Sequence, residues 1–430
     1  MTTRVRGVRA SAALALVVGL AIALAGCAGV GRAVVDFPEQ VDSGFSSATR
    51  DQLDAALTDA LALSGSPGGI AGVWAPWAGT WVSAAGTTEP GGSQPMTTDM
   101  HFRIADNTKP MTCDVLFALA DNGTVSLDDL VEDRLSGVVG ISGITLGQLC
   151  QSSSGIGDST GPLASRFAQN PLREWTPMEL ISDGIARRTG APGDAFVDSD
   201  AGYVLAGLVA QAVTHESMQT LYDRYVFQPL GLRSTSFPGP ADVALPEPAA
   251  TGWQALPGPD GALMCDAPAD ESRLSNSMVY TAGGVVSTVD DLQRYAQALA
   301  SGALRGERTK DAAWQTIPLG GDAEAWQSYA QIGAYQLGPM RGQYGSVPGQ
   351  MAAMLADPES GLTVVVMLNS STAGAAFIQH LAMKLAAIGS KAPPADGREL
   401  PAQGLPWSVE QMNEQLAARA VCQPPAPQAG

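Results

Sequence analysis

Charge is scarce in this sequence: 15% of its 430 residues are Asp, Glu, Lys or Arg, against roughly 25% in an ordinary globular domain. Disorder is not the reason, because the apolar fraction is an ordinary 45% and chains that stay unfolded combine low hydrophobicity with high net charge. Basic residues are the scarcest. Lys and Arg number 24 against 42 Asp and Glu, a formal net charge of −18, and Arg4, Arg6 and Arg9 all fall in the first ten positions, leaving the remainder more acidic still. That balance excludes a surface that tracks nucleic-acid phosphates, which draws its affinity from clustered Lys and Arg. The three histidines, His101, His215 and His380, are scattered, and none of the five cysteines has C-x-x-C spacing, so nothing calls for a metal site or a cofactor. No internal repeat is visible. What the chain has in quantity is Gly and Pro, 49 and 29 residues, which fits a compact core with many turns.

Arg4, Arg6 and Arg9 precede the apolar run AALALVVGLAIALA at 12–25. The run is shorter than the roughly 20 residues that span a bilayer, so residues 1–26 read as a signal peptide. Leu24-Ala25-Gly26-Cys27 resembles a bacterial lipobox, in which small side chains precede a cysteine whose sulfur carries diacylglycerol. Lipidation at Cys27 is therefore expected, and it would hold the mature chain on the outer face of the cytoplasmic membrane. Residues 27–46 read as a tether, 47–390 as one domain, and 391–430 as a Pro-rich tail with a short helix opened by Ser408 and Gln411 in capping-box positions. Four cysteines remain, Cys113, Cys150, Cys265 and Cys422, an even number that in an exported chain permits two disulfides in three connectivities.

Hydrophobic periodicity predicts helices over 52–63, 108–120, 145–150, 202–213, 217–226, 288–299 and 378–388, the sixth with the capping pattern Thr288-x-x-Asp291. Two hairpins are expected. One joins 70–74 to 80–84 around Trp77-Ala78-Gly79, and the other joins 351–355 to 362–367 across Asp357-Pro358-Glu359-Ser360-Gly361. Strands at both ends with helices between imply an α/β (α+β) fold, in which N- and C-terminal segments form one antiparallel sheet flanked by helices, beside a helical lobe.

The segment Phe102-Arg103-Ile104-Ala105-Asp106-Asn107-Thr108-Lys109, with a helix and Leu127-Asp128-Asp129 after it, resembles the serine β-lactamase and D-alanyl-D-alanine peptidase family in its class C-like branch. Further blocks follow in that family's order: Ile144-Thr145-Leu146 through Ser154-Gly155, Pro192-Gly193 through Gly202-Tyr203, Pro229-Leu230-Gly231-Leu232, Ala282-Gly283-Gly284, and Gly345 through Pro348-Gly349 into the second hairpin. The resemblance covers roughly Gln52 to Ile388 and implies a β-lactamase/transpeptidase-like fold. It also implies an active site made of a helix-start serine, a lysine three residues on, a Tyr-x-Asn turn, and a Lys or His followed by x-Gly on a strand bordering the site. With Cys113 and Cys150 on the helices flanking that site, their pairing is the first one expected.

This chain departs from the family's pattern at most of those positions. The serine position is Asp106, although Lys109 is retained; Tyr-x-Asn reads Asp198-Ser199-Asp200; and the Lys or His is Gln343, followed by Tyr344, the retained Gly345 and Ser346, the expected substrate-binding run. The only lysines are Lys109, Lys310, Lys384 and Lys391, so no Ser-x-x-Lys exists anywhere. An aspartate attacking an amide would form an anhydride, which lies uphill from its substrate. As a structural residue Asp106 suits a helix N-cap and an i,i+3 pair with Lys109. If Asp106, Asp198 and Asp200 converge on Lys109, either a carboxyl keeps its proton or a cation such as Ca²⁺ or Mg²⁺ fills the gap. The favoured reading is a non-catalytic envelope lipoprotein that binds a peptidoglycan-like ligand or an envelope protein. The alternative is a hydrolase, peptidase or esterase, in which Asp106 or Asp198 serves as general base.

Overall fold

The computed structural model describes residues 1–2, 32–402 and 404–423; Cys27 and all but the first two residues of the stretch read as a signal peptide lie outside them. Helix α1 (Ser47–Ser64) starts before its apolar periodicity does, because the Ser46 hydroxyl accepts the Thr49 N–H and caps it, and Gly65 in the left-handed region ends it. Strands β1 (Gly68–Ala75) and β2 (Gly79–Gly86) then form the first hairpin, closed with Ala75 opposite Gly79.

The other strands of the main sheet come from the far end of the chain: β3 (Thr316–Pro318), β4 (Gln327–Ala330), β5 (Ala334–Leu337), β6 (Met340–Val347), β7 (Gln350–Ala356) and β8 (Thr363–Leu368). The order across this eight-stranded sheet is β2-β1-β8-β7-β6-β5-β4-β3, antiparallel throughout. The N-terminal hairpin joins by laying β1 along β8, with Ile70 opposite Met367.

Between the two strand blocks run α2 (Thr108–Asp121), α3 (Leu146–Cys150), α4 (Thr160–Gln169), α5 (Pro177–Ala186), α6 (Asp200–Thr214) and α7 (Val289–Ser301), with α8 (Ala375–Gly389) and α9 (Val409–Ala417) after the sheet. Alternation along the strands sends side chains to two cores. Met354, Val365 and Met367 face α2 and α7 with Phe117, Leu292 and Tyr295. Ala353, Val364 and Val366 face α1 and α8 with Leu53, Leu57, Phe377 and Leu381. At α7 the Thr288 hydroxyl caps the Asp291 N–H, but the Asp291 carboxylate turns to the Ser234 N–H (2.6 Å) and the Thr235 hydroxyl (3.0 Å).

Two disulfides staple this arrangement, Cys113–Cys150 between α2 and α3 and Cys265–Cys422 between a loop and the C-terminal tail. The tail is packed down. Ser408 and Gln411 form a capping box at α9, the Trp407 indole N–H donates to the Met383 carbonyl at 2.8 Å, and the Val421 N–H donates to Leu63 O at the end of α1 at 2.9 Å. The described part of the stretch read as a tether is packed down too: Phe45 is buried in the α1–α8 core, and Gln40 donates to the Ala75 and Gly79 carbonyls, both at 3.0 Å. Among the described residues no helix is long and apolar enough to cross a membrane.

Candidate active site

Asp106 sits in a single 3-10 turn, Ala105–Asn107, that feeds directly into α2. The chain enters this turn through Ala105 at φ 50°, a left-handed conformation that a side chain disfavours and that tends to persist where surrounding packing over-determines it. The N-cap role expected of Asp106 is absent: no side chain caps α2. The carboxylate instead turns to Lys109, whose ammonium offers a stronger, charge-assisted bond.

Lys109 is 1% exposed. Its Nζ donates to Asp106 Oδ2 at 2.9 Å and Asp198 Oδ1 at 2.8 Å, and lies 3.0 Å from Asp200 Oδ1. An ammonium has three protons to donate, and here each faces a carboxylate. Asp198 and Asp200 are delivered by the start of α6: the Ser199 hydroxyl accepts the Gly202 N–H and donates to Gly157 O at 2.9 Å, fixing the turn between them. Asp200 opens the helix, where the dipole favours a negative charge, and its second oxygen accepts from the Thr160 hydroxyl.

Burial pushes the Asp106 carboxyl up to about 8, with Asp200 and Asp198 adding to the rise against the pull of Lys109. Burial alone would lower Lys109, but Asp106, Asp198 and Asp200 together outweigh it and hold the ammonium well above its ordinary range. Burial raises Asp200, but Lys109 and the Thr160 hydroxyl together outweigh it, with a net fall. The cluster therefore carries a firmly protonated lysine and keeps a proton on Asp106 at neutral pH. The Lys109 ammonium occupies the centre that a metal ion would need, and no group of His, Cys, Asp and Glu suited to holding a metal occurs among the described residues.

Strand β6 forms the other wall. A Cβ on Gly345 would lie 2.3 Å from Asp106 Cγ, so the strand backbone rests directly on the aspartate. Tyr344 is half-buried with its ring stacked on Tyr335, centroids 4.6 Å apart, and Ser346 pairs in register with Met351. Gln343 is 1% exposed and committed to the interior, donating to the Tyr329 hydroxyl at 3.0 Å and Gly333 O at 3.1 Å. In the sheet β6 is an inner strand, but β5 accompanies it only to Gly342, which leaves one side of 343–347 bordering the site.

Several neighbours were invisible to sequence reasoning. Tyr203 bonds Ser152 Oγ at 3.0 Å, the Tyr329 hydroxyl at 2.7 Å and Cys150 O at 2.8 Å, and Lys109 Nζ stands 5.4 Å from the Tyr203 ring centroid. Burial pushes both phenols far up, so they remain neutral hydroxyls. Tyr203 served only as a position marker, and Tyr329 lay in a stretch with no helical or strand periodicity. The expectation that the chain has no Gly-x-Ser-x-Gly is corrected by Gly157-Asp158-Ser159-Thr160-Gly161, which fits that pattern. It lacks the strand–turn–helix context that gives that pattern meaning, because α4 is entered from a loop in which the Gly157 N–H bonds Gly184 O. Its contribution is Thr160, and Asp158, whose carboxylate accepts the Thr160 and Gly161 N–H groups at 3.2 and 2.9 Å.

Known proteins show the same framework. A D-stereospecific amidohydrolase from Streptomyces sp. is 28% identical, with a TM-score of 0.65 over 75% of this chain and 94% of that one. A D-amino acid amidase from Ochrobactrum anthropi SV3 is 24% identical, TM-score 0.62, over 75% and 92%. An octameric penicillin-binding protein homologue from Pyrococcus abyssi is 22% identical, TM-score 0.66, over 81% and 79%. The Beta-lactamase family model matches residues 53–388, from within α1 to the end of α8 and through every wall of the site. The chain belongs to the beta-lactamase family.

Proposed function

We propose that this protein is a lipid-anchored envelope protein in which the β-lactamase fold serves for binding, without acyl-transfer chemistry. The observation that carries the reading is the Lys109 ammonium shared among the carboxyl groups of Asp106, Asp198 and Asp200 at 2.8–3.0 Å. A lysine held charged by three partners has no free amine with which to take a proton from a nucleophile. The nucleophile position supports the same reading, since Asp106 would yield an anhydride and keeps its own proton at neutral pH. Gln343 adds no cation, and its amide is already spent on Tyr329 and Gly333. A hydrolase using Asp106 as general base would need that carboxyl ionised and free to take a proton, whereas it holds its own proton at neutral pH and its Oδ2 accepts from Lys109.

A peptide bearing a D-amino acid, as in peptidoglycan, is the ligand class we propose; the names of solved relatives, a D-stereospecific amidohydrolase, a D-amino acid amidase and a penicillin-binding protein homologue, support it. Intact-mass spectrometry after incubation with a penicillin, together with D-phenylalanine amide turnover, tests the reading. No adduct and no turnover above a no-protein control are expected; a covalent adduct or released amine would overturn it.

A further inference from the structure

Because residues 33–45 are docked, the position at which the chain leaves the domain toward Cys27 is fixed. The Ala33 N–H donates to Pro229 O at 2.9 Å, and the Arg32 guanidinium lies against Gly231. From Cys27 to Arg32 the chain has only five steps, which reach at most about 18 Å when fully extended. We infer that the surface around Gly231, with Arg32, Arg233 and Arg294, is the face that meets the anionic lipid headgroups of the membrane. The inference rests on lipidation at Cys27, part of the function proposed above.

The chemistry of that surface suits the partner. Arg32 and Arg233 line one recess beside Phe227 and Gly231. Arg294, on α7, donates to Gly231 O at 3.4 Å with its side chain 55% exposed. Val34 is 83% exposed, two residues beyond Arg32 and ready to enter the interfacial layer. The nearby acids are the exposed Asp36, four residues beyond Arg32, Asp223 in the recess, Asp290 on α7, and Asp291, which is buried, bonded to Ser234 and Thr235, and 3.9 Å from the Arg294 guanidinium. A protein of net charge −18 is repelled by an anionic bilayer, so its contacting face must supply cations of its own.

The test uses the mature chain from Cys27 onward, coupled through that thiol to a maleimide lipid in phosphatidylcholine vesicles with or without phosphatidylglycerol. The other four cysteines are paired, which directs coupling to Cys27. With phosphatidylglycerol the ratio of lipid-facing to free orientations is expected to rise by roughly fivefold for each arginine engaged, read as slower amide hydrogen exchange over 222–235 and 289–301, while α9, across the sheet from α7, is unchanged. The combined variant Arg32→Gln, Arg233→Gln, Arg294→Gln should lose the difference. Equal exchange in the two lipids, or protection centred on α9, overturns the inference. Chemical coupling makes that result independent of acylation in cells, which the mass of the membrane-extracted protein decides: a mass without diacylglycerol sinks the anchored reading.

Discussion

Asp106 stores an electrostatic cost that pH can release. Below pH about 3 its carboxyl is largely protonated in folded and unfolded chains alike. As pH rises, the unfolded chain gives up the proton, while the folded chain holds it to about 8. Unfolding therefore releases a proton across that window and stability falls with rising pH. Asp106→Asn, which is neutral throughout, should gain stability relative to the native chain as pH rises from about 3 to 8, because only the native chain carries the raised carboxyl; urea melts at the two pH values decide it. Asp200 works in the opposite direction: its lowered pKa contributes stability at neutral pH that is lost on acidification.

The same residue limits any return of activity. Asp106→Ser alone should show no lactam turnover, because Lys109 would still be held by Asp198 and Asp200, and groups that act as a unit recover little when restored singly. The triple variant Asp106→Ser, Asp198→Tyr, Gln343→His is the one expected to regain measurable acylation by a reactive lactam, followed by intact mass. It will also be less stable by about 1–3 kcal/mol, since the buried Gln343 bonds to Tyr329 and Gly333 are lost. Asp106, Lys109, Asp198 and Asp200 were legible because each stands at a position that the family resemblance marks, Asp198 and Asp200 between Pro192-Gly193 and Gly202-Tyr203. The commitment of Gln343 to the interior was not, because its partners come from a turn and a strand that meet it only in the folded sheet.

At the scale of elements, β6 and the turn before α2 are held in register by a missing side chain. Gly345→Ala would place a methyl 2.3–2.5 Å from Asp106 atoms and should destabilise by about 1–3 kcal/mol, the usual cost of overpacking. Adding Asp106→Ala should relieve the loss only in part, because a Cβ 2.5 Å away remains; a double-mutant cycle in denaturant measures the coupling. The Cys113–Cys150 bridge ties the helix carrying Lys109 to α3, and replacing both cysteines with alanine should cost on the order of 3 kcal/mol, read as a fall in melting temperature. Helices with caps and the two apolar hairpins could be placed from sequence. Strands β3 to β5 could not: Thr316 to Leu337 is rich in polar residues, and its strand character comes from ladder partners and from tyrosines such as Tyr329 and Tyr335 packed edge to face at 4.8 Å.

At the scale of the whole molecule, the antiparallel sheet shared between chain ends was readable from where the strands fell, whereas the docking of the tail was not. Its Pro-rich composition conceals Trp407, Met412 and Leu416, all buried in the α1–α8 core. Because Cys265–Cys422 closes the largest covalent loop, with a sequence separation of 157, its removal by Cys265→Ser, Cys422→Ser should cost on the order of 4 kcal/mol and free the tail for proteolysis after residue 391, visible as a truncated mass.

The pairing of β1 with β8 also governs how the molecule is made. Gly68 bonds the Asn369 side chain across 301 positions of sequence, which at roughly 5–20 residues per second is an interval of about 15–60 s between the synthesis of one partner and the arrival of the other. Throughout that interval the first hairpin presents the open edge of a strand whose eight residues are all buried in the finished sheet, a template for pairing with other chains. The newborn chain is thus most exposed to self-association before its last third exists, and chaperone demand should peak there. Nascent chains stalled after residue 330 should bind a holdase and yield to protease within α1 and β1, and those extended past residue 400 should resist.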